Sequence, residues 1–125
     1  ILITSDTIVC HQGKALGKPT NAAEAKEMLH SLSGHAHEVI TSVCFTTTKE
    51  QRTVNEKTKV YFKELTAGEI DYYVDNYKPF DKAGGYAIQE WIGLIGITRI
   101  EGSYVNVVGL PTHLVYDHLL DLGRK

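Results

Sequence analysis

Four residues stand out for the chemistry that their type and setting allow: Asp6, Lys18, Lys82 and Gln89. Asp6 lies in Ile3-Thr4-Ser5-Asp6-Thr7-Ile8-Val9. This β-branched run reads as a buried strand, where an ionised carboxylate is costly unless paired, metal-bound or at work. Such a group can act as a general base or bind a divalent cation in front of a phosphate. The plainer alternative is an acid that ends a strand, caps a turn or pairs with a lysine. Lys18 sits in Gly17-Lys18-Pro19, and Lys82 in Asp81-Lys82-Ala83-Gly84-Gly85-Tyr86. Most lysines are solvated surface charges. An ammonium on a short, fixed turn can nevertheless reach a phosphate oxygen. Gly84 and Gly85 would let backbone N–H groups approach the same anion. Gln89, beside Trp91, carries an amide able to read a nucleobase edge, although such a residue more often bridges backbone.

Other site chemistries find little support. The loop around Lys82 lacks the Gly-Lys-Ser/Thr ending of a P-loop, and the dinucleotide fingerprint is absent. His35 and His37 would share a strand face, but no third ligand is near in sequence, so a surface role is expected. His118 falls on an apolar helical stripe, where a satisfied core histidine is the usual outcome. Cys10 and Cys44 lack the turn and base of a nucleophile and read as buried free thiols of a cytosolic protein. Net charge is −2, from 13 basic and 15 acidic residues, so no global field draws in nucleic acid and an anionic ligand must be held by local lysines. No stretch approaches the ~20 apolar residues of a membrane span, and the first residues lack the basic start of a signal peptide.

The elements that must position these residues alternate. Residues 1 to 10 read as a buried strand, and Lys14 to Leu16 as a short extended piece between glycine turns. Asn21 can cap a first helix, with Glu24 three residues on and a stripe of Ala25, Met28, Leu29 and Leu32 ending at Gly34. Residues 37 to 48 and Val54 to Leu65 read as a long antiparallel hairpin around Lys49-Glu50-Gln51. Thr66 and Glu69 form a capping box for a second helix, with Ile70, Tyr73, Val74 and Tyr77 at helical spacing and Pro79 as its stop. A glycine-containing loop runs from Phe80 to Tyr86. Leu94 to Ile100 and Tyr104 to Val108 read as two more strands, and Pro111 as the start of a last helix with stripe Leu114, Val115, His118, Leu119 and Leu122. At 125 residues and 42% hydrophobic, the chain reads as a single α/β domain over residues 1–125, a mixed sheet flanked by helices.

Six blocks, in this order, resemble the Maf family of nucleotide pyrophosphatases: Ser5-Asp6-Thr7-Ile8-Val9, Gly17-Lys18-Pro19, Leu32-Ser33-Gly34, Asp81-Lys82-Ala83-Gly84, Tyr86-Ala87-Ile88-Gln89 and Asn106-Val107-Val108-Gly109-Leu110-Pro111. Any one block is unspecific; together they cover nearly the whole chain. The resemblance implies a fold shared with inosine triphosphate pyrophosphatases. It also implies hydrolysis of nucleoside triphosphates to the monophosphate and pyrophosphate with a divalent metal, Mg²⁺ or Mn²⁺. Asp6 falls on the family's catalytic acid and metal-binding position, and Lys18 and Lys82 on its phosphate-facing lysines. Thr7 and Gln89 fall on positions that separate subfamilies, and as Thr and Gln they look like the branch acting on dTTP, UTP and related pyrimidine nucleotides. Gly85 and Glu90 depart slightly from the family pattern.

The family begins with a strand and a Ser-x-x-Arg loop that supplies an arginine to the triphosphate, and neither precedes Ile1. With no initiator methionine and a strand-like start, an N-terminal segment is expected to be missing, and the chain without it to be poorly active or inactive. The sheet edge so exposed would favour pairing with a second copy, a homodimer. A rival reading from another class is a regulator of cell division and septum formation that binds nucleotide without turnover.

Overall fold

The described residues, 1–123 in this computed structural model, form β1 (Leu2–His11), β2 (Lys14–Leu16), α1 (Ala22–Leu32), β3 (Ala36–Thr46), β4 (Gln51–Phe62), α2 (Ala67–Tyr77), a 3₁₀ turn (Ala83–Gly85), α3 (Trp91–Gly96), β5 (Ile97–Glu101), α4 (Tyr104–Val108) and α5 (Thr112–Gly123). Arg124 and Lys125, the last residues of the domain expected from sequence, lie outside the described residues. The strands order as β2-β1-β3-β4-β5. The expected α/β layering, a sheet flanked by helices, is present, and the four strand pairings are all antiparallel.

Period-2 alternation fixes which face of the sheet is covered. Along β3 every second residue from His37 to Phe45 is buried. The β3–β4 hairpin runs in unbroken register from Ala36↔Tyr61 to Thr46↔Gln51. Its return strand begins and ends three residues earlier than the Val54–Leu65 span expected from sequence. Against the covered face, Val9, Val39, Val60 and Phe62 pack with Leu29 and Leu32 of α1 and Ile70, Tyr73 and Val74 of α2. Removing such side chains from water stabilises by about 1.5–3 kcal/mol each.

Both helices of that layer begin as their sequences require. Asn21 Oδ1 accepts the Glu24 N–H at 2.8 Å, and the Glu24 carboxylate reaches back to the N–H and hydroxyl of Thr20 rather than to Asn21. At α2 the Thr66–Glu69 capping box is complete.

Three expectations are corrected. The first half of β1 is exposed, not buried, with Leu2 at 61% exposure. Its one edge pairs with β3 from Leu2 to Cys10, but its other edge pairs with β2 only at Val9–His11. Tyr104–Val108 is a helix, not a strand. Ser103 caps it by accepting the Asn106 N–H, and Gly109 at φ 127° stops it, so local hydrogen bonding outweighs its β-branched composition. The Leu94–Ile100 strand is in part helix α3, because Gly93 lets the backbone pass against Ile88, where a Cβ would collide. The chain enters the sheet only at Ile97.

Cys10 and Cys44 are free thiols, half-buried rather than buried. No helix among the described residues is long and apolar enough to cross a membrane.

Candidate active site

A cavity of about 250 Å³ opens where the middle of β1, the loop after β2, the segment 81–89 and the end of α4 meet. Asp6, Thr7, Lys18, Lys82 and Gln89 all line it. The structure therefore gathers every residue singled out from sequence, from three separated stretches of chain.

The two lysine turns are tied to each other. The Gly84 N–H donates to the Gly17 carbonyl at 3.1 Å, so the backbone beside Lys82 is fixed against the backbone beside Lys18. This bond, and that from the Gly85 N–H to the Lys82 carbonyl at 3.0 Å, corrects the expectation that these glycines present N–H groups to an anion. At Gly84 the demand is close packing. Gly84 has φ +73°, and a Cβ there would come within 3.0 Å of Val9. The lysines themselves remain at the surface. Lys18 is exposed, and half-buried Lys82 pairs with Asp81 at 3.2 Å. The hydrogen bond from Lys82, then the Asp81 backbone and the charges of Lys82 and Lys18, hold the Asp81 carboxyl below its usual range.

On β1 the pleat separates neighbours. Thr7 stands opposite Thr41 and shares its face with Val9, which stands opposite Val39. Asp6 follows the opposite pleat and meets the cavity at its exposed rim. The buried carboxylate expected from sequence is thus an exposed one. Among the described residues nothing pairs with it.

Gln89 is also exposed, and its loop is clamped from below. The Tyr73 hydroxyl donates to Glu90 Oε1 at 2.6 Å and accepts the Ala87 N–H at 3.1 Å. Burial and the Glu90 carboxylate push the Tyr73 hydroxyl pKa far up, so it stays a donor. Tyr86, on the cavity wall, is hydrogen-bonded to His37 Nε2 at 2.6 Å. His37 is buried, stacked on Phe62, which corrects its expected surface role. Burial, and then the nearby His11, pull its pKa down to about 4, so it is neutral at pH 7. His118 is satisfied as expected, by Arg52 Nη1 at 3.1 Å, although it is only half-buried.

Asp81, Tyr86, Thr41 and Asn106 were not singled out as site residues. Asp81, Tyr86 and Asn106 lie inside the matching sequence blocks, so their signal was present; Thr41 reads only as one more β-branched strand residue.

The family model for Maf-like protein matches residues 1–122. A protein of Christiangramia forsetii named dTTP/UTP pyrophosphatase is 69% identical over 98% of this chain and 62% of its own length. Proteins of the same name from Flavobacterium johnsoniae and Porphyromonas gingivalis are 57% and 51% identical, over 98% and 100% of this chain and 63% of theirs. The chain thus spans under two thirds of the length of these curated relatives. The chain belongs to the Maf family.

Proposed function

We propose that the chain forms part of a nucleoside triphosphate pyrophosphatase acting on dTTP, UTP and related or modified pyrimidine nucleotides. The observation that carries this reading is the convergence of Asp6, Thr7, Lys18, Lys82 and Gln89 on one cavity. The names of its relatives support it.

Phosphoryl chemistry needs positioning and charge neutralisation more than covalent help. Asp6, solvated and unpaired at the rim, orients a water and takes its proton. The water oxygen bonds to the α-phosphorus, the α–β bridging P–O bond breaks, and its electron pair leaves with pyrophosphate. Lys18 and Lys82 receive the phosphates, Lys82 exchanging Asp81 for a phosphate oxygen. Thr7 and Gln89 sort bases by hydrogen bonding, where a mismatched edge leaves a polar group unpaired.

The cavity's two lysines face two carboxylates, Asp6 and Asp81, so the described residues leave a triphosphate's charge largely unbalanced. Hard oxygen donors of this kind suit Mg²⁺ or Mn²⁺. Among the described residues no three His, Cys, Asp or Glu gather to enclose an ion. Asp6 would hold such a cation, which when bound would neutralise phosphate charge. The free thiols fit a reducing compartment such as the cytoplasm. The Leu2–Ile8 edge, unpaired among the described residues, is where a second copy would add in a homodimer.

The test is pyrophosphate release from dTTP, UTP, CTP, GTP and 7-methyl-GTP with Mg²⁺ or Mn²⁺. It should use both this chain and a version extended to the length of its relatives. Pyrimidine-selective release by the extended protein supports the reading. A folded protein that binds nucleotide and returns it intact would replace it with the regulatory one.

A further inference from the structure

We infer that Tyr73 and Glu90 are positioning residues: the Tyr73 hydroxyl, bonded to the Ala87 N–H and the Glu90 carboxylate, holds Gln89 in the cavity and so sets how tightly nucleotide binds. The inference deepens the pyrophosphatase reading and rests on it.

Residues 87–90 form a turn, closed by the bond from the Glu90 N–H to the Ala87 carbonyl at 3.1 Å. Gln89 lies inside this turn, exposed and facing the cavity. Among the described residues no hydrogen bond holds its side chain, so its place is set by its backbone. Tyr73 reaches the turn from α2 and bonds to it on both sides of Gln89. Its hydroxyl accepts the Ala87 N–H at 3.1 Å and donates to Glu90 Oε1 at 2.6 Å, which commits its one proton. The ring behind that hydroxyl is fully buried and stacked on Tyr77 at 5.0 Å. Next to it, Tyr72 meets Trp91 edge-on at 4.8 Å and ties the start of α3 to the same helix. Upstream, Tyr86 is held to β3 by its bond to His37 Nε2 at 2.6 Å. The turn thus hangs between β3 and α2, and the Tyr73 hydroxyl bonds to both of its ends.

Among the described residues, those lining the cavity include Ala87 and Gln89 but neither Tyr73 nor Glu90, so the pair acts through Gln89. Without the hydroxyl, the Ala87 N–H and the Glu90 carboxylate lose their shared partner and the turn loosens. A side chain already in place loses little freedom when a ligand arrives, whereas a loose one must be ordered on binding. Bound substrate and transition state meet that cost equally, so KM rises while kcat holds.

The test is a double-mutant cycle in the extended protein, read by KM and kcat for UTP and by calorimetric binding of its non-hydrolysable α,β-methylene analogue. Gln89→Ala and Tyr73→Phe should each weaken binding about three- to tenfold, the scale of one hydrogen bond, with kcat within about twofold. Tyr73→Phe placed on Gln89→Ala should add less than about twofold, because the group it positions is gone. A merely structural role would instead multiply the two losses. Glu90→Gln keeps an acceptor for the Tyr73 proton and should bind like wild type, whereas Glu90→Ala should weaken binding as Tyr73→Phe does. Should Tyr73→Phe not fold, Glu90→Ala takes its place in the cycle. Losses that multiply overturn the inference, and so does a folded Tyr73→Phe or Gln89→Ala protein with wild-type affinity. A wild type that binds the analogue but releases no pyrophosphate overturns the pyrophosphatase reading, and the binding cycle still decides the inference. A wild type that neither binds nor turns over any nucleotide overturns both.

Discussion

The two walls of the cavity are built in opposite ways. On one, Asp6, Lys18 and Gln89 are exposed and Lys82 is half-buried. Their backbones are fixed, by the Gly84–Gly17 hydrogen bond and the Tyr73 clamp, but their charged ends are in water. Behind the other, out of reach of the cavity itself, Thr41, Asn106 and His37 are buried: the Thr41 hydroxyl donates to the Asn106 carbonyl, the Asn106 amide to the Val39 carbonyl, and His37 Nε2 is hydrogen-bonded to Tyr86. The difference teaches where each property of the site resides. Solvated charges handle a highly charged, hydrated substrate and cost the fold little when changed. Buried polar groups cost more to disturb and hold one arrangement, which makes them suited to specify.

The sharpest way to break this comparison is Asp6→Asn. It should lower turnover by about 10²–10⁴-fold, the usual worth of a general base, while stability moves by no more than about 0.5 kcal/mol. Full turnover in this variant would remove Asp6 from the mechanism. A large loss of stability would mean that the exposed wall is structural after all.

The buried wall gives the next largest effect, and it is one of pH. The folded-state pKa of His37 is about 4, below the ordinary histidine value of 6.5. Between those values the unfolded chain binds more protons, so stability rises with pH. The His37 contribution is complete above pH 6.5 and is lost as pH falls toward 4, by up to about 3 kcal/mol. Urea melts of wild type and His37→Phe across that window check this. The variant should show the shallower dependence, and equal slopes would contradict the burial argument.

Lys82→Ala should have the smallest effect. Its surface pair with Asp81 is screened by solvent and adds little to stability, so melting should barely change. Pyrophosphate release should fall about tenfold at low salt, and the gap to wild type should narrow near 0.5 M salt, where exposed charges are screened. A gap that is indifferent to salt would place Lys82 in a drier site than the structure gives it.

Much of this was legible in the sequence, unevenly. Asn21, Thr66 and Glu69 announce α1 and α2 because caps act within four residues. The β3–β4 hairpin shows in its β-branched alternation. Tyr104–Val108 misled because its composition favours a strand; the Ser103 cap and Gly109 stop make it α4, and the bonds that fasten it to the sheet run from the Asn106 side chain to Val39, Glu56 and Thr58, far away in sequence. The exposure of Asp6 was hidden for a similar reason. A β-branched run tells that a strand forms, but which edges and faces are covered depends on its neighbours in the sheet. Asp6, Lys18, Lys82 and Gln89 were legible as candidates from their residue types, and Thr7 through the family resemblance. The hydrogen bonds that join Thr7 to Thr41 and Thr41 to the Asn106 carbonyl were not, since no local pattern marks a hydroxyl whose partner lies across a strand pair.

The central claim is attack of water at the α-phosphorus, and oxygen-18 water tests it most directly. UTP hydrolysed by the extended protein in labelled water, followed by phosphorus NMR and mass spectrometry, should give UMP carrying the label and unlabelled pyrophosphate. Label in pyrophosphate, or release of orthophosphate in its place, would contradict the account.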